Sequence, residues 1–289
     1  MDKAKTLAEA FPYIKKFYGK NIVVKYGGSI VDAALEGFAR DIALLKFVGM
    51  NPVVVHGGGR QIAAALEREG IASDFIAGLR VTDEKTMRTV ASVLTGKVNK
   101  TIVAAIKRHG AKAAGIAGTD SSTLIASKAD IHAIARANGV KIAPDADLGM
   151  VGEISRVNTK LLRLYERDGC VPVVAPVGTD GRGGVYNINA DHAAGKVASA
   201  LKAEKLIMLT DVRGVMDGDG KLLSSLTFKQ AERLIKNGVI SAGMLPKAKC
   251  CMDAVEEGVR KAHIVDGRAE HAILLEIFTD AGVGTEIKQ

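Results

Sequence analysis

Three short segments contain residue types that could do chemistry: K-Y-G-G-S at 25–29, H-G-G-G-R at 56–60 and Y-N-I-N-A-D at 186–191. The first two follow apolar runs that are typical of buried strands. Their glycines therefore stand at strand ends, where the backbone can approach an anion closely and donate N–H groups to it. Lys25 ends the first strand. Two such loops and a lysine predict a site that holds two anionic groups together, as phosphoryl transfer requires.

Each candidate side chain also has an ordinary structural explanation. Lys25 would otherwise extend from a strand end to solvent, although a charge for a phosphate better explains its position before two glycines. Arg80, in a loop before a helix, suits bidentate binding of a carboxylate, but an exposed surface arginine is equally compatible with the sequence. His56 is expected to form a structural hydrogen bond, because no second metal ligand stands at a suitable spacing.

The segment at 186–191 has two interpretations. Asn187 and Asn189 alternate with apolar residues and can face one side of an extended segment, with Asp191 near the start of the next helix. Asp191 would then orient Lys25 and Lys247 through ion pairs. A turn followed by an N-cap explains the same residues equally well, because asparagine and aspartate favour both positions.

Three further candidates lie in the second half of the chain. Lys247 follows a proline at a predicted helix start, where a solvated lysine is the ordinary outcome. Thr210 and Asp211 follow a predicted strand, and ligands of open α/β sheets bind beyond such strand ends. A plain turn is also compatible with these two residues.

Apolar runs typical of strands alternate with helical patterns along the chain, an order that characterises α/β proteins. We therefore predict a three-layer α/β/α sandwich with a mainly parallel central sheet. The predicted strands cover 21–26, 52–56, 112–117, 171–175, 206–210 and 263–265, and the predicted helices cover 4–17, 35–45, 61–69, 86–94, 97–108, 158–167, 189–201, 227–236, 246–258 and 270–277. Glycines near 177–186 mark a soft boundary between an N-terminal lobe, residues 1–180, and a C-terminal lobe, residues 181–289.

Three local features of this prediction are specific. Pro12 falls inside the first helix and is expected to bend or interrupt it. Thr82 is expected to cap the helix that begins near residue 86. Residues 118–155 are rich in small and β-branched residues and are expected to form short hairpins.

Composition limits the classes of function. The 289 residues carry a net charge of +8, but the basic residues are spread along the chain and aromatic residues make up only 4%. Stacking platforms for nucleic acid are therefore scarce, and we expect a positive field for small anionic substrates rather than a nucleic-acid partner. No apolar run is long enough for a membrane span. The three cysteines lack metal-ligand spacing, which favours reduced thiols in a cytoplasm and predicts no protein metal site.

Seven segments occur together in the order K-Y-G-G, H-G-G-G, G-L-R-V-T-D, G-K-V-N-K, Y-N-I-N-A-D, L-T-D-V-x-G-V and G-M-L-P-K. In this combination the chain resembles the acetylglutamate kinases of the amino acid kinase family, from about Phe11 to Ile287. The resemblance implies the amino acid kinase fold. It also implies an enzyme that uses ATP and Mg²⁺ to phosphorylate the side-chain carboxylate of N-acetyl-L-glutamate, the second step of arginine biosynthesis.

The resemblance implies roles for particular residues. Lys25 and Lys247 would stabilise the transferring phosphoryl group from opposite sides, and Asp191 would hold both lysines. The substrate would be bound mainly by the N-terminal lobe, through Gly58, Gly59 and Arg80, with Asn187 and Asn189 from the start of the C-terminal lobe. ATP would be bound mainly by the C-terminal lobe, and its predicted contacts are Gly27, Gly28, Thr210 and Asp211.

The C-terminal segment resembles the arginine-inhibited form of the family, which implies an arginine site at His263, Glu276, Gly282 and Gly284. That form also has an N-terminal helix, matching residues 4–17, which links homodimers into a hexamer. A PII-type signalling protein is a further partner that the resemblance suggests. Alternatively, the C-terminal segment only completes the sheet.

Two other functions are compatible with the same motifs. A kinase for a related acylated amino acid, such as N-acetylaminoadipate or a carrier-linked glutamate, would differ by contacts that motifs do not reveal. One methylene group changes selectivity by only about 1–3 kcal/mol. A non-catalytic sensor of arginine or ATP would bind these ligands without transferring a phosphoryl group.

Overall fold

The structure is a computed structural model that describes residues 3–27, 32–241, 243–280 and 282–289. Its helices are α1 Lys3–Phe17, α2 Asp32–Phe47, α3 Gly59–Arg68, α4 Glu84–Ala91, α5 Asn99–Arg108, α6 Ile131–Asn138, α7 Lys160–Arg167, α8 Ala190–Ala200, α9 Phe228–Lys236, α10 Met244–Glu256 and α11 Ala272–Phe278. Its strands are β1 Asn21–Tyr26, β2 Asn51–His56, β3 Phe75–Ile76, β4 Leu79–Arg80, β5 Ala113–Ala117, β6 Leu124–Lys128, β7 Val151–Val157, β8 Val171–Ala175, β9 Val177–Thr179, β10 Val185–Ile188, β11 Lys205–Thr210, β12 Ser225–Thr227, β13 Lys261–Asp266 and β14 Thr285–Lys288. A π-helical segment, Ser92–Val98, joins α4 to α5.

The central sheet has eight strands in the order β12-β14-β13-β11-β1-β2-β8-β5. Neighbouring strands are parallel except for β13 and β14. The inner strands are buried on both faces, which explains why their sequences are continuous apolar runs rather than alternating ones. The predicted α/β fold with a mainly parallel central sheet is confirmed.

Alternate residues of the central strands face two separate cores, because successive side chains of a strand point to opposite faces. Val24 and Val54 belong to one core, which also contains buried residues of α2, α5 and α11. Val23 and Val55 belong to the other, together with α8 and α10. Helices therefore cover both faces of the sheet, as the three-layer prediction requires.

The sheet combines strands from both predicted lobes. β1 from the first lobe is the parallel neighbour of β11 from the second, with Lys25 opposite Met208. The carboxyl ends of β1, β2 and β11 consequently meet at one edge, which brings Lys25, His56 and Thr210 into the same region. The division of roles between residues 1–180 and 181–289 stays a prediction.

Residues 118–155 differ from the predicted hairpins. β6 and β7 do pair in antiparallel fashion and, with β9 and β10, form a small closed sheet. Between them, however, lies helix α6. Asp130 caps its first turn by accepting bonds from two backbone N–H groups, and Gly139 ends it in a left-handed conformation. Aspartate before and glycine after a short apolar stretch is a helix signal that the interpretation as hairpins missed.

Two local predictions about helices, an interruption of α1 at Pro12 and a Thr82 cap on α4, are also wrong, while a bend at Pro12 stays a prediction. Helix α1 continues through Pro12, which is exposed to solvent. Proline has no N–H to donate, so the carbonyl group one turn earlier loses its partner in the helix and can bond to water instead. The cap of α4 is Asp83 rather than Thr82: the Asp83 carboxylate accepts a bond from the Thr86 N–H at 2.7 Å. Thr82 is fully buried, and its hydroxyl donates to the Arg80 carbonyl.

None of the helices within the described ranges combines the length and the hydropathy that a membrane crossing needs.

Candidate active site

A cavity of about 490 Å³ lies at the sheet edge where β1 and β2 end. Its lining includes most of the side chains and glycines that the sequence singled out. These are Lys25, Gly58, Gly59, Arg80, Asn187, Asn189 and Asp191. Lys25 and the loop after β2 reach this site from the carboxyl ends of the central sheet, whereas Arg80 comes from β4, Asn187 from β10, and Asn189 and Asp191 from the start of α8.

Two lysines contact the two oxygens of Asp191, a carboxylate that lines this cavity; Lys247 itself is not among the lining residues. The Nζ of Lys25, at the end of β1, lies 2.8 Å from Oδ1 of Asp191. The Nζ of Lys247, in the first turn of α10, donates to Oδ2 of Asp191 at 2.8 Å. The cluster carries two positive charges and one negative charge, so it has an excess positive charge to offer to an anionic ligand.

The two lysines determine the ionisation of Asp191. Burial alone would raise the pKa of this carboxyl, but the charges of Lys25 and Lys247 outweigh burial and lower its pKa to about 2. Asp191 is therefore a permanent anion at neutral pH. A carboxylate with so low a pKa is a weak base, and its two oxygens contact the two ammonium groups.

Arg80 lies at a second point of the cavity wall and is buried rather than exposed on the surface. Its guanidinium donates to the Gly59 carbonyl at 3.3 Å, contacts the Ser73 hydroxyl, and lies 4.6 Å from the centre of the Phe75 ring. These contacts hold the guanidinium in place, and its burial excludes the alternative of an exposed surface arginine.

The two asparagines of the third segment have different environments. Asn187 lines the cavity, and its amide donates to the Thr82 hydroxyl at 3.2 Å, which ties it to the loop that carries Arg80. Asn189 caps α8, because its side-chain oxygen accepts bonds from the backbone N–H groups of Asp191 and His192. The N-cap interpretation is therefore correct for Asn189, although this residue also borders the cavity.

The loop after β2 presents backbone groups to the same cavity. The Gly57 N–H donates to the Tyr26 carbonyl at 2.9 Å, which ties this loop to the end of β1. Gly58 is the N-cap of α3 and has no side chain to satisfy the free N–H groups there. A helix start with unsatisfied N–H groups favours an anion. A Cβ on Gly58 would lie only 2.7 Å from a terminal methyl group of Leu94, so a larger residue here would require that side chain to shift.

Three other predicted nucleotide contacts are not part of the cavity wall. Gly27 is buried directly after β1. Thr210 is buried at the end of β11 and donates to the adjacent Asp211 carboxylate at 3.2 Å, while Asp211 is exposed. Gly28 lies outside the described residues.

A second cavity, of about 440 Å³, separates α1 from the C-terminal segment. Its lining includes the predicted residues His263, Glu276 and Gly282. Gly284 does not line the cavity, but its N–H donates to the Glu276 carboxylate at 3.2 Å. A Cβ on Gly284 would lie 2.2 Å from the Ile264 carbonyl oxygen, so only glycine fits there.

The Glu276 carboxylate is the centre of this second site. Oε1 lies 2.6 Å from Nδ1 of His263, and Oε2 accepts the Val283 N–H at 2.8 Å. Burial opposes ionisation of Glu276, but these partners outweigh it and lower its pKa. Burial also lowers the pKa of His263, which keeps the imidazole neutral. The Nε2 of His263 has no hydrogen-bond partner among the described residues.

Several residues that line the first cavity were not predicted from the sequence. Phe75, Leu79 and Leu94 supply apolar surface, and Gly57 contributes backbone. Gly57 stands inside the H-G-G-G motif and could have been found there. Phe75 gave no signal, because it belongs to a strand of only two residues.

We expect the burial of His56 to make folding stability depend on pH. Full burial lowers the pKa of this imidazole from 6.5 to about 4. The folded state favours the neutral imidazole. The contribution of neutral His56 to the free energy of unfolding is therefore complete above pH 6.5 and is lost as the pH falls toward 4. Between pH 7 and 4, the free energy of unfolding should fall by about 3 kcal/mol more in the wild type than in His56→Gln. Urea titrations of both proteins measure this difference, and parallel pH curves would contradict the prediction.

Comparison with known proteins adds an independent line of evidence. The model of the amino acid kinase family matches residues 20–266 of this chain. The acetylglutamate kinase of Geotalea uraniireducens (strain Rf4) is 54% identical, and the match covers 99% of this chain and 98% of that protein.

One similar solved structure is the N-acetylglutamate synthase from Neisseria gonorrhoeae. In its complex with coenzyme A and N-acetyl-glutamate it aligns with a TM-score of 0.85 and 26% identity over 100% of this chain. The structure of that synthase with coenzyme A and L-arginine aligns over the same extent with a TM-score of 0.81 and 25% identity. The chain spans 64% and 66% of these two synthase chains.

Proposed function

The chain belongs to the acetylglutamate kinases of the amino acid kinase family, and we propose that it transfers the terminal phosphoryl group of ATP to the side-chain carboxylate of N-acetyl-L-glutamate. The enzyme is a phosphotransferase that acts in arginine biosynthesis. The observation that carries this proposal is the contact of Lys25 and Lys247 with the two oxygens of Asp191.

This cluster matches the charge changes of the reaction. A carboxylate oxygen of the substrate attacks the γ-phosphorus of ATP, the bond from that phosphorus to the β,γ-bridging oxygen breaks, and ADP leaves with the bonding electrons. The substrate carboxyl has an ordinary pKa of about 4.3 and is already ionised, so no general base is needed. Catalysis then consists of bringing two anions together and neutralising charge on the transferred group. Lys25 and Lys247 supply the positive charge for this purpose.

The shape of the cavity fits a short acylated dicarboxylate. Its wall combines the cations Lys25 and Arg80 and the amide of Asn187 with apolar side chains. Arg80 can bind the α-carboxylate in bidentate fashion, while the side-chain carboxylate points toward Lys25. Apolar surface from Leu79 and Leu94 suits the methylene groups and the acetyl methyl group.

Mg²⁺ would enter as part of MgATP. Asp191 is the only carboxylate among the described residues that line the cavity, and both lysines already engage it. Magnesium keeps several waters and commonly binds through phosphate oxygens. ATP oxygens would therefore hold the ion, and Thr210 and Asp211 would contact the nucleotide at the end of β11.

A trapping assay tests the proposed reaction. The product is an acyl phosphate, which hydroxylamine converts to a hydroxamate, so incubation with ATP and N-acetylglutamate should release ADP and form the hydroxamate in equal amounts. Neither product should form at a comparable rate with N-acetylaminoadipate. Preference for the longer substrate would support the related kinase, and ligand binding without ADP release would support the non-catalytic sensor.

Arg80→Lys is expected to weaken binding of N-acetylglutamate more than that of ATP. Lysine keeps the charge but cannot form two parallel bonds to a carboxylate, so KM for N-acetylglutamate should rise about 10-fold or more. Steady-state kinetics with each substrate varied in turn measures the effect. Arg88→Lys, at an exposed position on α4, is the control. Equal changes in the two KM values would contradict the assigned role.

Feedback inhibition by L-arginine is the regulatory part of the proposal. The second cavity contains Glu276 for a cationic group, while Lys205 and Lys16 are available for a carboxylate. A neutral His263 with its proton on Nδ1, the atom that lies 2.6 Å from Oε1 of Glu276, would leave Nε2 as an acceptor suited to a guanidinium N–H. The similarity to a synthase whose structure holds L-arginine supports this assignment.

Glu276→Gln is expected to weaken inhibition by arginine strongly. A neutral amide offers no charge to the guanidinium and cannot accept both the Val283 and Gly284 N–H groups as strongly. Loss of one buried charged partner typically costs 2–5 kcal/mol, so the arginine concentration for half inhibition should rise by about 30-fold or more. Turnover at increasing arginine measures it. Unchanged inhibition would exclude this cavity as the site.

The assembly and the compartment complete the proposal. We expect a homo-oligomer in which α1 links dimers into a hexamer, since Phe11 on this helix is exposed and apolar. A PII-type protein is a candidate partner of the assembly. The three cysteines are unpaired, which fits the cytoplasm as the site of action.

A further inference from the structure

Two buried polar side chains have no part in the reaction as described above. His56, at the end of β2, is completely buried, and Asn99, at the start of α5, is 1% exposed. Nδ2 of Asn99 lies 3.1 Å from Nε2 of His56 and donates to the Val173 carbonyl at 2.8 Å. Nδ1 of His56 lies 3.0 Å from the carbonyl oxygen of Gly57. A chain of contacts therefore runs from α5 to the loop that lines the active site.

The hydrogen-bond acceptor at one end of this chain of contacts determines the position of every proton in it. The Val173 carbonyl can only accept, so the atom of Asn99 that contacts it must be the amide nitrogen. That nitrogen has a second hydrogen, which it donates to Nε2 of His56. Nε2 must then carry a lone pair, and in a neutral imidazole the proton is on Nδ1. His56 therefore donates this proton to the Gly57 carbonyl.

A bond to the Gly57 carbonyl also orients the next N–H group. The peptide group is planar and trans, so its C=O and the Gly58 N–H point in opposite directions. If the oxygen is held toward the buried imidazole, the Gly58 N–H is directed away from it. The Gly57 N–H is held separately by Tyr26. The N–H and the carbonyl group of Gly57 are thereby both held, although a glycine would otherwise rotate freely about its backbone bonds.

Two further contacts indicate that this region is built around Asn99. The π-helical segment ends directly before it, and Leu94 of that segment packs against Gly58. Such π segments often accompany functional sites because they change which side chains face a neighbour. On the other side, a Cβ on Gly115 would lie 1.8 Å from Oδ1 of Asn99, so a glycine is required for the amide to fit.

We propose that Asn99 is a positioning residue for phosphoryl transfer: through His56 it fixes the Gly57–Gly58 peptide, and so directs the Gly58 N–H toward the reacting oxygens. This inference rests on the proposed function, because it assigns the loop after β2 to the transferred group. Asn99 itself touches neither substrate. It acts through the protonation pattern of one imidazole.

The wild-type protein provides the first test. In ¹⁵N-histidine-labelled enzyme, long-range nitrogen–proton correlation spectra distinguish the two neutral forms of an imidazole, and His56→Gln identifies the signal of His56 among the six histidines. The proposal requires a proton on Nδ1 and none on Nε2. A proton on Nε2, or a rapid mixture of both forms, would overturn it whatever the activity of the enzyme.

The second test compares two variants on the same helix. Asn99→Leu has nearly the same shape but no N–H, so the Nδ1 form of His56 should no longer be fixed, and kcat should fall about 10- to 100-fold without a comparable change in KM for ATP. Val103→Ala removes buried packing but leaves the chain of contacts intact. It should lower stability and change neither kcat nor the His56 spectrum.

The outcomes separate this proposal from the function on which it rests. An active wild type with an equally active Asn99→Leu overturns the positioning role alone, as does a loss of kcat in Asn99→Leu that Val103→Ala reproduces. A wild type that never transfers a phosphoryl group overturns the function. Should Asn99→Leu fail to fold, the wild-type spectrum still decides.

Discussion

Lys25→Ala should lower kcat for phosphoryl transfer by about a thousandfold or more. The ammonium group at the end of β1 lies 2.8 Å from Asp191 and faces the cavity. A positive charge that stabilises the transition state of phosphoryl transfer contributes about 10³- to 10⁵-fold in rate. Alanine removes that charge, and water that enters the space cannot replace it. Binding of N-acetylglutamate should change much less, since Arg80 remains.

Steady-state turnover and thermal unfolding of Lys25→Ala together decide the cause of any loss. Lys112→Ala is a matched control, because Lys112 is also a lysine paired with an aspartate, Asp168, but both side chains are about 70% exposed. The control should keep full activity. A Lys25→Ala variant with more than about a tenth of wild-type kcat would remove this lysine from the mechanism.

Asp191→Asn should lower kcat by about a hundredfold or more, through the lysines rather than through direct chemistry. Without the carboxylate, the ammonium groups of Lys25 and Lys247 repel each other and lose their common anchor. A displacement of about 1 Å at a reacting group can cost about 10²-fold in rate. Removing one member of a buried ionic cluster should also destabilise the fold, by about 3–5 kcal/mol.

The pH dependence distinguishes this anchoring role from proton transfer. Because the pKa of Asp191 is about 2, its anionic form persists over the whole range in which the enzyme can be assayed. The wild-type profile of kcat should therefore show no ionisation of this group. Asp168→Asn, at an exposed position, is the control for the substitution itself. A kcat limb in the wild type that Asp191→Asn abolishes would instead identify Asp191 as a base.

Much of the fold could be predicted from the sequence because its inner strands are continuous apolar runs. The pattern predicted β1, β2, β8 and β11 within a residue or so of their bounds, and helix patterns predicted α1 and α5. Residues 118–155 were harder, because β6, β7 and α6 are short and their pairing with β9 and β10 depends on distant parts of the chain. Local propensity does not determine such contacts.

The residues of the site differed in how well they could be predicted from the sequence. Lys25 was apparent because it stands at the end of a predicted strand, and Gly58 and Gly59 because they follow one. An ion-pair cluster with Asp191 was only one of two interpretations, since strand order decides whether residues 25, 191 and 247 meet. The role of Asn99 was not apparent at all. It stands in a quoted motif, G-K-V-N-K, but an asparagine in a helical pattern does not indicate which buried acceptors it will reach.

Determination of a complex with N-acetylglutamate, Mg²⁺ and a non-hydrolysable ATP analogue tests the central claim most directly. The account predicts that the Nζ atoms of Lys25 and Lys247 each lie within about 3 Å of the γ-phosphate or of the oxygen that attacks it, on opposite sides, with Asp191 between them. A complex in which either ammonium group points away from the γ-phosphate would contradict it.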